Sequence, residues 1–225
     1  MAAGTAFFSE LLNEKPALLR QIIAFNLAVR EDDAGGLEPI WAAAAAKNKG
    51  LRRALAALRA GEQGEAGFWD FVDEASRLAL FDAASLERLG KFAAAGVFGG
   101  EIALAIDRPR REALKRALGA DACAYAVARG RWQAGSLAAP LLLMTPEGAL
   151  EERTLALARI LLEAAALRWP EALRALAAGK LQALSLPALA LPPEAAAGDM
   201  PLRIWRYLKK IILREMDPSW AMFFD

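Results

Sequence analysis

The sequence predicts an all-α protein: a compact multi-helix domain of roughly ten helices with a proline-rich strap before the C-terminal helix. Three observations predict it. Alanine and leucine dominate the chain, and both are strong helix formers because they lose little or no side-chain entropy in a helix. Apolar residues recur three and four positions apart in one segment after another, whereas valine, isoleucine and threonine runs with period-two alternation are missing. With 56% hydrophobic residues in 225, the chain can bury a substantial core without covalent staples. The reading takes 1–225 as one domain: N-terminal helices over 1–62, a helical core over 67–179, a linker or strap over 180–199, and a C-terminal helix with an aromatic tail over 200–225. No fixed-period repeat points to a solenoid.

Pro16 suits a first helical turn, and apolar residues at 18, 19, 22, 23, 25, 27 and 29 predict a mostly buried helix over 16–30. Glu31 to Gly36 reads as a loop. Pro39 then starts a helix through the alanines to Ala46, and Leu51, Leu55 and Leu58 stripe another that ends at the glycines 61, 64 and 67. Phe68 to Leu80 carries helical spacing, with Trp69, Phe71 and Phe92 expected in the core. Asp82 or Ser85 caps the next helix, which Gly96, Gly99 and Gly100 loosen or end. The apolar pattern resumes from Glu101 to Ile106, Pro109 begins a further helix, and Gly119 ends it. The following helix, restarted by Asp121, is expected to stop at Gly130. A proline-bearing loop around Pro140 and Pro146 leads to the longest helix, Glu147 to Trp169, and Pro170 precedes a short helix to Ala178. Lys180 to Asp199, with Pro187, Pro192 and Pro193, reads as a strap, and Met200 to Met216 as an amphipathic helix.

Composition excludes several chemistries. The chain has no histidine and a single cysteine, which removes histidine-based triads and histidine or all-cysteine zinc sites. No Walker A loop is present, so no cofactor or metal is expected. Asp70, Asp73 and Glu74 could formally supply a carboxylate pair, but acidic residues on helix surfaces are commonplace. Cys123 lies among alanines, as a small hydrophobe would. A net charge of +1 argues against a general nucleic-acid binder. Glu10 and Glu14 argue against a signal peptide, and the longest uncharged stretches, 132–146 and 181–193, are too short and too proline-broken to span a bilayer. These features fit a cytoplasmic protein that binds other proteins and has no catalytic residues.

Two basic clusters stand out. Arg108, Arg110, Arg111, Lys115 and Arg116 gather at the start of one helix. Arg203, Arg206, Lys209, Lys210 and Arg214 line the final helix opposite Leu202, Trp205, Leu208, Ile212 and Leu213. Solvated faces account for both in the simplest reading; docking on an acidic protein surface or an anionic membrane is the functional alternative. Trp220, Phe223 and Phe224 must either fold back onto the domain or anchor in a partner.

The runs RLALFDAASLERLGKFAAAGVFGGEI (77–102), ALKRALGADACAYAVARG (113–130) and LRIWRYLKKIILREMDPSWAMFF (202–224), in that order and spacing, resemble the accessory protein of the type III secretion sorting platform, the SctK or YscK family. About half of the chain carries the resemblance. It implies a helical, non-enzymatic cytoplasmic adaptor at the inner-membrane face, which links the forkhead-associated cytoplasmic domain of the ring protein SctD to the pod protein SctQ. The surfaces expected to meet these partners are the 108–116 cluster, for an acidic rim, and the aromatic tail, for an apolar pocket. A peripheral protein that binds anionic lipid through Arg203, Arg206 and Lys210 is the second reading.

Overall fold

A computed structural model describes residue 11, residues 14–32 and residues 68–224. The expected helices at 39–46 and 51–60, and the loops from 33 to 67, lie outside these described residues. Within them the protein is all-α, with no strand. The chain divides into two compact units, Met1–Asp73 and Glu74–Asp225, where the sequence reading has one domain.

In the first unit, α1 spans Pro16–Asp32 and buries Leu18, Ile22 and Phe25, the i, i+4, i+7 set that its spacing prescribes. Asn26 on the same face is 3% exposed. Its amide donates to the Ile22 carbonyl at 3.0 Å and to the Phe68 carbonyl at 2.8 Å. Phe71 lies edge-on to both Phe25 and Phe68, with ring centroids 5.8 and 5.1 Å away. The helix expected from Phe68 does not begin there. Asp70 accepts a hydrogen bond from the Val72 N–H, a local turn that competes with helix. Trp69, expected in the core, is 37% exposed.

The second unit opens with α2 (Glu74–Arg77) and a 3-10 turn over Leu78–Leu80. Asp82 then caps α3 (Ala83–Val97) by accepting from the Ser85 N–H at 2.7 Å. After Phe98 the helix resumes as α4 (Gly99–Leu104), and Asp107 caps α5 (Arg108–Leu118), with Pro109 in its first turn. Gly119 ends α5 at φ 96°, a conformation that an L side chain adopts only with strain. Beyond it α6 (Ala120–Tyr125) widens into a π segment, Ala126–Gly130, and continues as α7 (Arg131–Ala134). A 3-10 turn over Gly135–Leu137 joins α8 (Ala138–Leu143), which holds Pro140 in its first turn, where the missing N–H has no helical partner to lose. A helix therefore stands at Pro140 where a loop was expected, while 144–149, which holds Pro146, is a loop as expected. The long helix α9 covers Leu150–Ala166, and α10, Glu171–Gln182, runs one turn past the expected stop at Ala178. The strap is pinned by buried Leu184, Leu186 and Ala195, the last within the single-turn α11 (Pro193–Ala196). The amphipathic α12 (Met200–Glu215) and the short α13 (Pro218–Ala221) close the chain.

The core is organised around α3. Its Leu86, Leu89, Phe92 and Ala93 are buried, and its glycines let neighbouring backbones approach. A Cβ on Gly96 would stand 2.3 Å from the Tyr207 hydroxyl, and one on Gly130 would stand 2.7 Å from the Gly96 Cα. Gly130 therefore does not stop its helix as expected. Its φ and ψ are helical, −55° and −47°, and its missing side chain is what admits α3. The carbonyl of Ala158 in α9 would similarly lie 3.2 Å from a Cβ on Gly90.

These contacts separate two kinds of glycine. Gly130→Ala forces backbone apart and should lower stability by at least about 2 kcal/mol. Gly179→Ala, in α10 with nothing within 4 Å of the new carbon, should raise it by about 0.5–1 kcal/mol. Urea unfolding followed by circular dichroism checks both; equal effects would contradict the packing described.

Candidate functional site

All five cations of the α5 cluster, Arg108, Arg110, Arg111, Lys115 and Arg116, are exposed. Lys115 pairs with Glu112 at 3.3 Å, and Arg116 donates to the Glu112 carbonyl at 3.3 Å. Arg108, Arg110 and Arg111 make no side-chain hydrogen bond or ion pair among the described residues. They occupy the first turn of α5, where the helix dipole is positive, so each is placed against the local field at a cost of about 0.3–1 kcal/mol. The two residues that lead into this turn were not singled out by the sequence pattern. Leu104 is 76% and Ile106 80% exposed, so two large exposed apolar side chains immediately precede the three arginines in the chain. The detectable sign was that the apolar run 102–106 continues past the last position that α4 can bury.

The second cluster is less available. Lys209 pairs with Glu74 at 2.5 Å, and Arg203 is half-buried. Arg206, Lys210 and Arg214 remain exposed. Leu213, expected on the buried face, is 43% exposed beside them, while Ile204, Trp205, Tyr207, Leu208, Ile211 and Ile212 form the inward face.

The aromatic tail folds back. Phe224 is fully buried and Phe223 is 4% exposed. Trp220 is half-buried and stacks on Phe81, with centroids 4.0 Å apart and planes inclined by 27°. Arg77, itself 6% exposed, donates to the Phe223 carbonyl at 2.7 Å. Trp205 meets the Phe224 ring at 5.6 Å. Of the two options open to the tail, the structure takes the core. This corrects the expectation that Phe223 and Phe224 seat in a partner's pocket.

Asp70 and Asp73 are exposed, and Glu74 holds Lys209. Burial pushes the half-buried Cys123 thiol up, away from the reactive thiolate. Among the described residues no group of three or more acidic or cysteine side chains could hold a metal, and no helix is long and apolar enough to cross a membrane.

A cleft of about 390 Å³ opens between α3, α6 with its π segment, and the end of α12. Its polar lining consists of Arg88, Asp121, Tyr125, Arg129 and Glu215. Arg88 pairs with Asp121 at 2.8 Å, and its guanidinium lies 5.3 Å from the centre of the Phe92 ring. Arg129, 59% exposed, reaches a Glu215 side chain that is only 5% exposed. The Tyr125 hydroxyl donates to Gln133 at 3.2 Å, and the Tyr207 hydroxyl donates to the Ala93 carbonyl at 2.8 Å. Burial raises the Tyr125 pKa to about 12 and pushes Tyr207 well above its ordinary value. Sequence reasoning passed over this group. Its one visible sign was that Glu215 is the sole acid of an otherwise basic helix.

Comparison with known proteins finds no match: no protein-family model, no curated protein and no solved structure is significantly similar to the chain.

Two measurements follow from this geometry. The chain has only two tyrosines, so the alkaline rise in absorbance near 295 nm, above the constant tryptophan background, reports ionisation of Tyr125 and Tyr207 alone. Tyrosinate should not form near pH 10 while the protein stays folded. Because both folded pKa values are raised, their contribution to stability is complete below the unfolded value of about 10 and declines as pH rises from there towards 12. Ordinary titration of either residue in the folded protein would contradict their burial. Separately, Phe224→Ala should cost about 3–5 kcal/mol in denaturant unfolding, whereas a tail free to anchor elsewhere would tolerate it.

Proposed function

We propose that the chain is a non-enzymatic cytoplasmic adaptor of a bacterial type III secretion injectisome. In this reading it links the cytoplasmic domain of an SctD-like ring protein to an SctQ-like pod protein of the sorting platform. The observation that carries it is the α5 surface. Arg108, Arg110 and Arg111, unpaired among the described residues, stand in a helix turn whose dipole opposes them, just after the exposed Leu104 and Ile106 in the chain. A surface that costs stability, and combines cations with apolar anchors, suits an acidic protein face with apolar positions. The order and spacing of the 77–102, 113–130 and 202–224 runs support the identity of the partners. With Phe223 and Phe224 in the core, the α5 surface takes over the contact role that the tail was expected to share.

Pull-down and titration against each candidate partner test this reading. The combined substitution Arg108→Glu, Arg110→Glu and Arg111→Glu should weaken binding of one partner by at least about tenfold and flatten its salt dependence. Thermal stability should hold or rise, since acids favour a helix N-terminus. Binding to neither partner would end the adaptor reading. A second reading rests on Arg206, Lys210 and Arg214 around exposed Leu213: peripheral attachment to anionic lipid. It requires salt-sensitive binding to phosphatidylserine vesicles that is lost when Arg203, Arg206 and Lys210 become glutamate, and the adaptor reading expects little vesicle binding.

A further inference from the structure

The second unit carries two patches of opposite charge, each with exposed apolar side chains. The basic one runs from α4 into α5: Leu104 and Ile106, 76% and 80% exposed, precede Arg108, Arg110 and Arg111. The acidic one runs from α8 into α9. Leu143 is 88% exposed, and the exposed Pro146 and Glu147 lead to the half-buried Glu151 in the first turn of α9. Among the described residues neither Glu147 nor Glu151 makes a side-chain hydrogen bond or an ion pair. The fold brings the two patches to one junction. Arg153, also in the first turn of α9, pairs with Glu101 of α4 at 3.0 Å, and its guanidinium lies 4.9 Å from the centre of the Phe98 ring. Leu104 follows three residues after Glu101, Glu151 stands two residues before Arg153, and α5 packs against α9.

The basic patch calls for an acidic face with apolar positions, and the same chain supplies one. Neighbouring patches of opposite charge are self-complementary under a two-fold rotation, because the basic half of each copy then covers the acidic half of the other. The pairing relieves a cost already present in the single copy. Arg108, Arg110 and Arg111 stand at the positive end of α5, where carboxylates are favoured both by the guanidinium groups and by the helix dipole. Leu104 and Ile106 of one copy meet Leu143 and Pro146 of the other, so apolar surface leaves water at the same step. A net charge of +1 leaves two copies almost without long-range repulsion.

We propose that the chain self-associates as a two-fold dimer in which Arg108, Arg110 and Arg111 of each copy face Glu147 and Glu151 of the other, with Leu104, Ile106, Leu143 and Pro146 enclosed between them. The inference does not rest on the adaptor reading. A second copy seated on α5 covers the surface which that reading gives to an acidic partner.

Sedimentation velocity of the full-length chain over a concentration series tests it. A reversible monomer–dimer equilibrium is expected, weakened at least about tenfold when sodium chloride rises from about 0.05 to 0.5 M. Arg108→Glu, Arg110→Glu and Arg111→Glu together make both patches acidic, and Glu147→Arg with Glu151→Arg makes both basic. Each variant alone should dimerise at least about tenfold more weakly. Mixed in equal amounts, the two should pair with one another, since the reversed patches then face each other and so do the unreversed ones. Misfolded chains could not produce that recovery. An unaltered protein that stays monomeric at low salt would overturn the proposal, as would association that continues beyond the dimer. Variants that dimerise as the unaltered chain does, or that fail to pair when mixed, would overturn it too. The Glu147→Arg, Glu151→Arg variant keeps the α5 cluster, so its binding to the ring or pod protein bears on the adaptor reading alone.

Discussion

The close approach of α3 to the π segment through Gly96 and Gly130 is the constraint on which the second unit depends. With the Gly96 Cα where a Gly130 side chain would begin, two backbones touch with no side chain between them. That contact leaves room for the Tyr207 hydroxyl, which reaches across Gly96 to the Ala93 carbonyl. Tyr207 thereby fixes α12 against α3 by a buried hydrogen bond as well as by its apolar face. The position of Glu215, two turns further along α12, follows from that fixing. So does the position of Arg129, one residue before Gly130. The cleft is thus a consequence of two missing side chains about 34 residues apart in sequence.

A second set of long-range bonds closes the other side of the unit. The segment 74–82 is too short and too irregular to satisfy its own carbonyls, since one turn of α-helix leads straight into a 3-10 turn. Distant side chains supply the donors. Trp169 donates to the Ala75 carbonyl at 2.7 Å, and Lys180 donates to those of Ala79 and Phe81 at 2.8 and 3.0 Å. Arg77 then reaches outward from the same segment to the Phe223 carbonyl. The C-terminal tail is therefore bound to the start of the unit by its backbone as well as by the Phe81 ring, on which Trp220 stacks and which Phe224 meets edge-on. Phe223 and Phe224, held at both levels, are spent inside the unit, and only Met222 and part of Trp220 remain at the surface of the tail.

The helices were legible wherever local rules decide. Asp82, Pro109 and Gly119 mark helix ends by capping and backbone chemistry that their neighbours do not change. The reading failed where tertiary contacts override those rules. Gly130 looks like a stop because glycine disfavours helix, yet here the absence of a side chain answers a neighbour that no local pattern reveals. Pro140 suggested a loop because its tolerance in a first turn depends on where that turn begins. The tail presented a real choice between core and partner, and the partners that settle it, Phe81 and Arg77, lie about 140 residues earlier. The basic residues of α5 were legible by charge alone. The exposure of Leu104 and Ile106 beside them was not, because apolar spacing shows which residues share a face but not whether anything covers it.

The two surfaces that this unit offers differ in physical character, and that difference bears on what each can do. The α5 surface is exposed and strongly cationic, with Arg108, Arg110 and Arg111 unpaired among the described residues, so its attraction acts at a distance, falls with salt, and discriminates between partners mainly by charge. The cleft is nearly neutral, with Arg88 paired to Asp121 and Arg129 to Glu215, and its remaining walls are the Phe92 and Tyr125 rings with Ala124 and Ala128. A molecule recognised by the first would be captured quickly and released easily. Because the cleft is built from α3, the π segment and α12, the same elements that form the core, occupancy there is linked to folding. A ligand bound only by the folded unit stabilises it by mass action, whereas a partner on the solvated α5 face can come and go without touching the packing beneath.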